Sequence, residues 1–145
     1  MIYRKIKAKK DLKIPKQKTL AQLKKDLTKV FNAYIRKRDS NDDGTFICIS
    51  CNKTKDVRLM HAGHFHSAGK NEAVRWDELN VSGQCSYCNT FEHGNLLGYR
   101  EGIIKKYGQK IVDDLEIKRH NKSKMARFEV QLLIEIYKQK LNVKN

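Results

Sequence analysis

The stretch GQCSYCNTFEHG, residues 83–94, decides how this chain is read. Cys85 and Cys88 stand two residues apart, and the only other cysteines, Cys48 and Cys51, repeat the spacing. Two intervening residues let a tight turn aim both sulfurs at one ion, and zinc takes four thiolates at ~2.3 Å in a tetrahedron. The pairs predict one Zn²⁺ held by Cys48, Cys51, Cys85 and Cys88. A sphere filled by sulfur has no place for substrate, so this site staples the fold, and chemistry is to be sought between the pairs. A redox C-x-x-C would need one pair only.

The rest of the composition suits a partner of opposite charge. Thirty-one Lys and Arg against sixteen Asp and Glu give a net +15 over 145 residues. Such a charge repels itself and calls for an anionic partner. Nucleic acid comes first, because each phosphate contact releases counterions, and an anionic membrane surface second. No run of ~18 apolar residues exists to span a bilayer. The opening MIYRKIKAKK is basic with no apolar stretch behind it, so it does not read as a signal peptide. A reducing, cytoplasmic setting is expected, where cysteines serve as ligands rather than disulfides.

Along the chain, residues 1–18 carry eight Lys/Arg and one acid, Asp11, and read as a basic flexible arm, either laid on phosphates or merely solvated. Residues 19–145 read as a single domain. From Thr19, a capping residue, Leu20, Leu23, Leu27, Val30, Phe31, Tyr34 and Ile35 recur at helical steps. Lys24, Arg36 and Lys37 lie mostly off that stripe, on a face that is solvated or pressed on DNA. DSNDDG, 39–44, is a turn; Asp39, Asn41, Asp43 and Gly44 are in phase with a calcium loop, but its closing carboxylate would fall on Ser50. TFICIS (45–50) and RLMHAGHFH (58–66) read as strands, 66–79 as a loop, and CSYCNTFEH (85–93) as a helix start. Gly94 and Asn95 break and restart it, and two further helices follow, then a closing one over Met125–Leu141. The expected fold class is α+β, mainly helices around a small strand pair.

Three of the five histidines, His61, His64 and His66, fall within six residues between the cysteine pairs. On a strand His64 and His66 share a face and His61 takes the other. Gly63 leaves space beside His64 for a phosphate or a metal-bound water. If a helix begins near Cys88, Asn89 and His93 share its face at i, i+4. An amide oxygen and an imidazole there, opposite a strand bearing histidine, make a divalent-metal pocket. His120 reads as a surface residue.

These residues carry a resemblance. C-x-x-C, Gly63-His64, Asn80 five residues before Cys85, then Cys88-Asn89 is similar to the HNH (ββα-metal) nuclease pattern on a zinc staple. CISC, AGHFHSAG, VRW, QCSYCN, GNLLGYR and the preceding FNAYIRKRD resemble the phage NinG/Rap recombination endonuclease family, from about Thr19 to Leu141. The resemblance implies a metal-dependent, structure-specific DNA endonuclease, phage- or prophage-encoded, acting on branched recombination intermediates such as Holliday junctions. It implies His64 as general base, Asn80 as the residue bracing the loop around it, and Asn89 as ligand to a catalytic Mg²⁺ or Mn²⁺. Many HNH enzymes carry a ligand directly before the base, and the NinG-like pattern an Asp three residues before it. Here those positions are Gly63 and His61, so the second ligand stands open among His61, His93 and Glu92. Arg75, Tyr99 and Arg100 flank the pocket in sequence as phosphate contacts or as surface and core residues. Two nicks on symmetric strands favour a homodimer, with the 125–141 helix as interface or as monomer core. The competing readings are a zinc-stapled nucleic-acid-binding module without catalysis, and a restriction- or homing-type HNH nuclease acting on plain duplex.

Overall fold

Helix α1, Leu20–Asp39, begins where the sequence places it. The Thr19 hydroxyl accepts the Gln22 amide (3.2 Å) and the Gln22 side chain accepts the Thr19 amide (2.7 Å), so two of the helix's open donors are satisfied reciprocally. The computed structural model describes residues 17–143; the arm expected at 1–18 therefore lies almost wholly outside the described residues. The α1 stripe buries Leu23, Leu27, Phe31 and Ile35. Helix α4, Arg127–Asn142, covers it with Val130, Ile134 and Tyr137. Phe31 and Tyr137 meet edge to face, centroids 4.9 Å apart. The apolar side of the 125–141 segment thus packs within the monomer, while Phe128 and Leu132 stay exposed.

The two helices run parallel. At one end the Arg127 guanidinium donates to the Lys18 carbonyl (2.7 Å); at the other the Lys37 ammonium donates to the Leu141 carbonyl (2.9 Å) and to that of Val143 (2.5 Å). Parallel macrodipoles repel, and the cation on α4's unpaired carbonyls offsets part of that. Lys37, expected on DNA, is a helix-end partner instead.

The strands at 45–50 and 58–66 form, but shorter, as Thr45–Ile47 (β1) and Met60–His64 (β3), and they do not pair with each other. β1 pairs antiparallel with β2, Thr54–Asp56. β3 pairs antiparallel with β4, Val81–Cys85, from Met60 opposite Cys85 to His64 opposite Val81. Neither partner shows in the sequence. TKD is short and polar, and VSGQC has no apolar alternation because all five residues are buried. With both faces covered, hydrogen bonding rather than hydrophobicity sets which side chain fits where.

The end of α1 is tied to β4 by a partly buried pair on adjacent residues. Arg38 grips both Asp39 carboxylate oxygens at 2.8 Å and donates to the Glu78 (2.8 Å) and Val81 (2.9 Å) carbonyls. Asp39 accepts the Gly83 amide at 2.7 Å and pairs with Lys106 at 3.2 Å. Burial would raise the Asp39 pKa, but Arg38 outweighs it and holds the carboxyl below its usual range.

CSYCNTFEH makes one π-helical turn, Tyr87–Phe91, rather than the start of a longer helix. His93 (φ +49°) and Gly94 (φ +94°) are left-handed and end it. Asn95 (φ +40°) then caps α2, Leu96–Tyr107, its side-chain oxygen accepting the Gly98 amide. Helix α3, Gln109–Lys118, follows at once and shares a core with α2 built on Val74, Tyr99, Ile103, Val112 and Leu115. Among the described residues no helix is long and apolar enough to cross a membrane.

Helix α2 lies directly on the backbone of the first cysteine turn. A methyl added at Gly102 would fall 1.9 Å from the Ile49 carbonyl oxygen, and one at Gly98 2.3 Å from that of Ser50. Gly102→Ala is therefore expected to destabilise the protein by ~1–3 kcal/mol through overpacking, despite alanine's ~1 kcal/mol advantage inside a helix. Urea unfolding reads this; a raised midpoint would show that the helix can move off the turn.

Candidate functional site

The four cysteine sulfurs lie within 4.8 Å of one another. Thiolates ~2.3 Å from a tetrahedral ion sit ~3.8 Å apart, so the cluster needs only a small contraction to close on one. Each pair reaches it by local geometry. The Asn52 amide donates to the Cys48 carbonyl (2.9 Å) and Asn52 turns left-handed (φ +54°), folding the 48–51 turn back. Cys85 ends β4 and Cys88 lies on the π turn. Backbone amides aim at sulfur, Cys85 N–H at Cys48 Sγ (3.3 Å) and Cys88 N–H at Cys85 Sγ (3.5 Å), and the Asn95 amide reaches Cys88 Sγ (3.6 Å). Burial works against ionising Cys48, but the amides of Cys85, Cys51 and Ser50 outweigh it and lower its pKa. Burial raises Cys51 and Cys88, with neighbouring sulfurs adding to it. A cation would offset the charge that burial and neighbouring sulfurs disfavour at Cys51 and Cys88, so the donor set suits a metal such as zinc.

His64 is the last residue of β3, and its Nε2 lies 3.0 Å from the Arg75 carbonyl oxygen. A carbonyl only accepts, so Nε2 carries the hydrogen and Nδ1 keeps the lone pair in the neutral ring. Burial, helped by the Arg75 charge, lowers the His64 pKa and outweighs the opposing pull of the Arg75 and Ala62 carbonyls, so the ring is neutral at physiological pH. Asn80 is fully buried and holds the intervening loop: its side-chain oxygen accepts the His66 amide (2.9 Å), and its amide donates to the carbonyls of His66 (3.0 Å) and Val74 (2.9 Å). The residue after Val74 is the one whose carbonyl orients His64. Tyr99 lies in the core and donates its hydroxyl to the Gly63 carbonyl (2.8 Å).

His64, Asn89, His93, His66, Lys70 and Arg119 line one cavity of about 520 Å³. At its edge the Asn89 amide nitrogen lies 2.9 Å from His61 Nδ1. His61 thus meets Asn89 directly, whereas His93 is exposed on the left-handed turn after it and Glu92 lies exposed outside the cavity lining. His66 lies beyond the end of the strand and approaches the Glu116 carboxylate at 3.4 Å. Gly63 does not open space for phosphate: a methyl there would meet the Gln84 side-chain oxygen at 2.2 Å. Gln84 fills that space and joins the two cysteine turns, its amide donating to the Ser50 hydroxyl (2.7 Å) and the Gly94 carbonyl (2.6 Å).

The basic residues expected on DNA separate. Arg36 and Arg100 are exposed, Arg100 reaching Gln109 at 3.3 Å. Arg75 lays its guanidinium over Trp76, 5.0 Å from the ring centroid. Lys24 is ion-paired with Glu72 and Lys37 occupies the end of α4, so both serve the fold. Lys70 and Arg119, which the sequence reading passed over, line the cavity. Lys70 had a signal, being four residues after His66 in a glycine-containing loop; Arg119 had none, since only the packing of α3 brings it there.

The fold and site define a small α+β domain built around a cluster of four cysteines that could hold a metal. A family model described as Bacteriophage Lambda NinG protein matches residues 3–145, and the chain belongs to that family. It is 34% identical over 117 residues to Protein ninG of Escherichia phage lambda, covering 81% of this chain and 54% of that protein. Protein ninG of Escherichia phage 933W shows the same identity, and that of Salmonella phage P22 33%, with 81% of this chain and 55% of each relative covered. The chain thus spans about half the length of these relatives. No solved structure matches it.

Proposed function

We propose that the chain is a metal-dependent DNA endonuclease of the HNH type that cleaves branched recombination intermediates such as Holliday junctions. The observation that carries this is one cavity lined both by a neutral imidazole oriented through its Nε2 and by Asn89, which pairs with His61 at the edge. His64 Nδ1 accepts a proton from water as that water attacks a phosphodiester phosphorus. The cleaved bond leaves a 3′-hydroxyl and a 5′-phosphate. Asn89 and His61 would hold the Mg²⁺ or Mn²⁺, whose charge offsets that growing on the phosphoryl and leaving oxygens. Rotating the Asn89 amide presents its oxygen beside His61 Nδ1, the donor pair such an ion takes. Asn80 keeps the Arg75 carbonyl in place and so keeps the base in its productive tautomer. Lys70 supplies positive charge for the incoming phosphate, while Arg119 at the cavity is paired with Glu116 (2.7 Å). Four thiolates hold Zn²⁺ apart from this chemistry, and a two-fold dimer would place two such sites for paired nicks.

The test is cleavage of forks, D-loops, four-way junctions and linear duplex with Mg²⁺ or Mn²⁺. Nicks at branch points whatever the sequence are expected. A protein that shifts every substrate and nicks none is a binding module, and one that cuts duplex at a fixed sequence is a restriction-type enzyme.

A further inference from the structure

The π turn that carries Asn89 also carries two aromatic side chains with nothing over them. Tyr87 is 59% and Phe91 72% exposed, and their ring centroids lie 6.0 Å apart with planes inclined by 31°. Cys88, Asn89 and the backbone of the turn are engaged. Cys88 joins the sulfur cluster, Asn89 meets His61, and the backbone closes on itself through Glu92 N–H to the Tyr87 carbonyl (3.1 Å) and Gly94 N–H to the Cys88 carbonyl (2.9 Å). The two rings are therefore held outward on a rigid mount, at the apolar cost of exposing both.

We propose that Tyr87 and Phe91 form a ledge on which an unpaired base at a DNA branch point stacks, about three base steps along the strand from the phosphate engaged at Asn89. The choice of DNA rests on the nuclease reading above. Residues two apart on a turn point to opposite sides, so the ledge lies about a helix diameter, ~10 Å, from the Asn89 side. Three base steps of ~3.4 Å along one strand cover that distance. Intact duplex keeps its bases stacked, whereas a branch point offers open π faces, and aromatic side chains accept any base because every base has such a face. Charge favours DNA as the occupant: a chain of net +15 attracts a polyanion to its surface.

The probe is a fork with 2-aminopurine at the branch, compared with a blunt duplex carrying the same label, bound by the full zinc-loaded chain without added Mg²⁺. The wild type is expected to change the label's emission on the fork alone. Tyr87→Ser with Phe91→Ser is expected to lose that change and about tenfold in fork affinity, with duplex affinity unchanged. Tyr87→Leu with Phe91→Leu keeps apolar bulk, removes the π faces, and is expected to behave as the serine pair does. Fork binding by the leucine pair equal to wild type overturns the ledge, as does an equal loss on duplex. A sedimentation shift from dimer to monomer in both pairs also overturns it, assigning the surface to self-association. Because no cleavage is read, a stacking signal from a protein that nicks nothing sinks the nuclease reading alone. Branch-directed nicking without the signal sinks the ledge alone.

Discussion

His64→Ala is expected to bind branched DNA and zinc like the wild type and to cleave ~10²- to 10⁴-fold more slowly, the usual loss for a removed general base. The fold survives because the ring lines a cavity and makes one hydrogen bond, to the Arg75 carbonyl, worth about 1 kcal/mol. The space left by the ring admits imidazole, so added imidazole is expected to restore part of the rate, which a purely structural role would not allow. The pH profile carries the same signature. Burial places the folded His64 pKa below its ordinary 6.5, so the rate rises with pH through a value under 6.5 and is flat above it. The unfolded chain binds that proton more readily than the folded one, so stability declines as pH falls below 6.5. Wild-type cleavage by His64→Ala would remove this residue from the reaction.

Loss of the thiolate-bound metal is expected to be more destructive still. Structural zinc contributes ~10–16 kcal/mol in small zinc peptides, against ~5–15 kcal/mol for a whole domain. The core around Phe46, Met60 and the cysteines contains few other apolar groups to replace it. Cys85→Ser, or a strong zinc chelator, is expected to abolish cleavage, lower the melting midpoint by more than about 10 °C, and leave residual helicity from α1 and α4, whose core contains no cysteine. Metal analysis should find one zinc per chain, and added Mg²⁺ should restore nothing. An unchanged midpoint after chelation would mean the sulfurs do not staple the fold.

The cysteine site was legible because its information is local: two C-x-x-C turns announce their geometry within four residues each. The Thr19 cap, the α1 stripe and the apolar side of α4 were legible for the same reason, a fixed period. β4 was not, because Ser82 and Gln84 are buried as fully as their apolar neighbours, Gln84 on the Ser50 hydroxyl, and a strand covered on both sides loses its alternation. The roles of Lys24 and Lys37 were not legible either. Whether a lysine meets phosphate, Glu72 or the end of α4 depends on packing between segments 48 to 106 residues apart. The Arg38–Asp39 tie escaped because three of the groups it holds are backbone atoms, which leave no mark on sequence.

The parallel pairing of α1 with α4 has a consequence for the newly made chain. α4 follows every element of the site in order of synthesis, so the side of the Leu23, Leu27 and Phe31 stripe that Val130, Ile134 and Tyr137 cover stays open until those residues are made. The hairpins and the sulfur site can assemble before then, but the helix that carries them lacks its partner helix. A partly translated chain is thus sticky and incomplete, and interruption before α4 is expected to yield material for proteases rather than a folded domain.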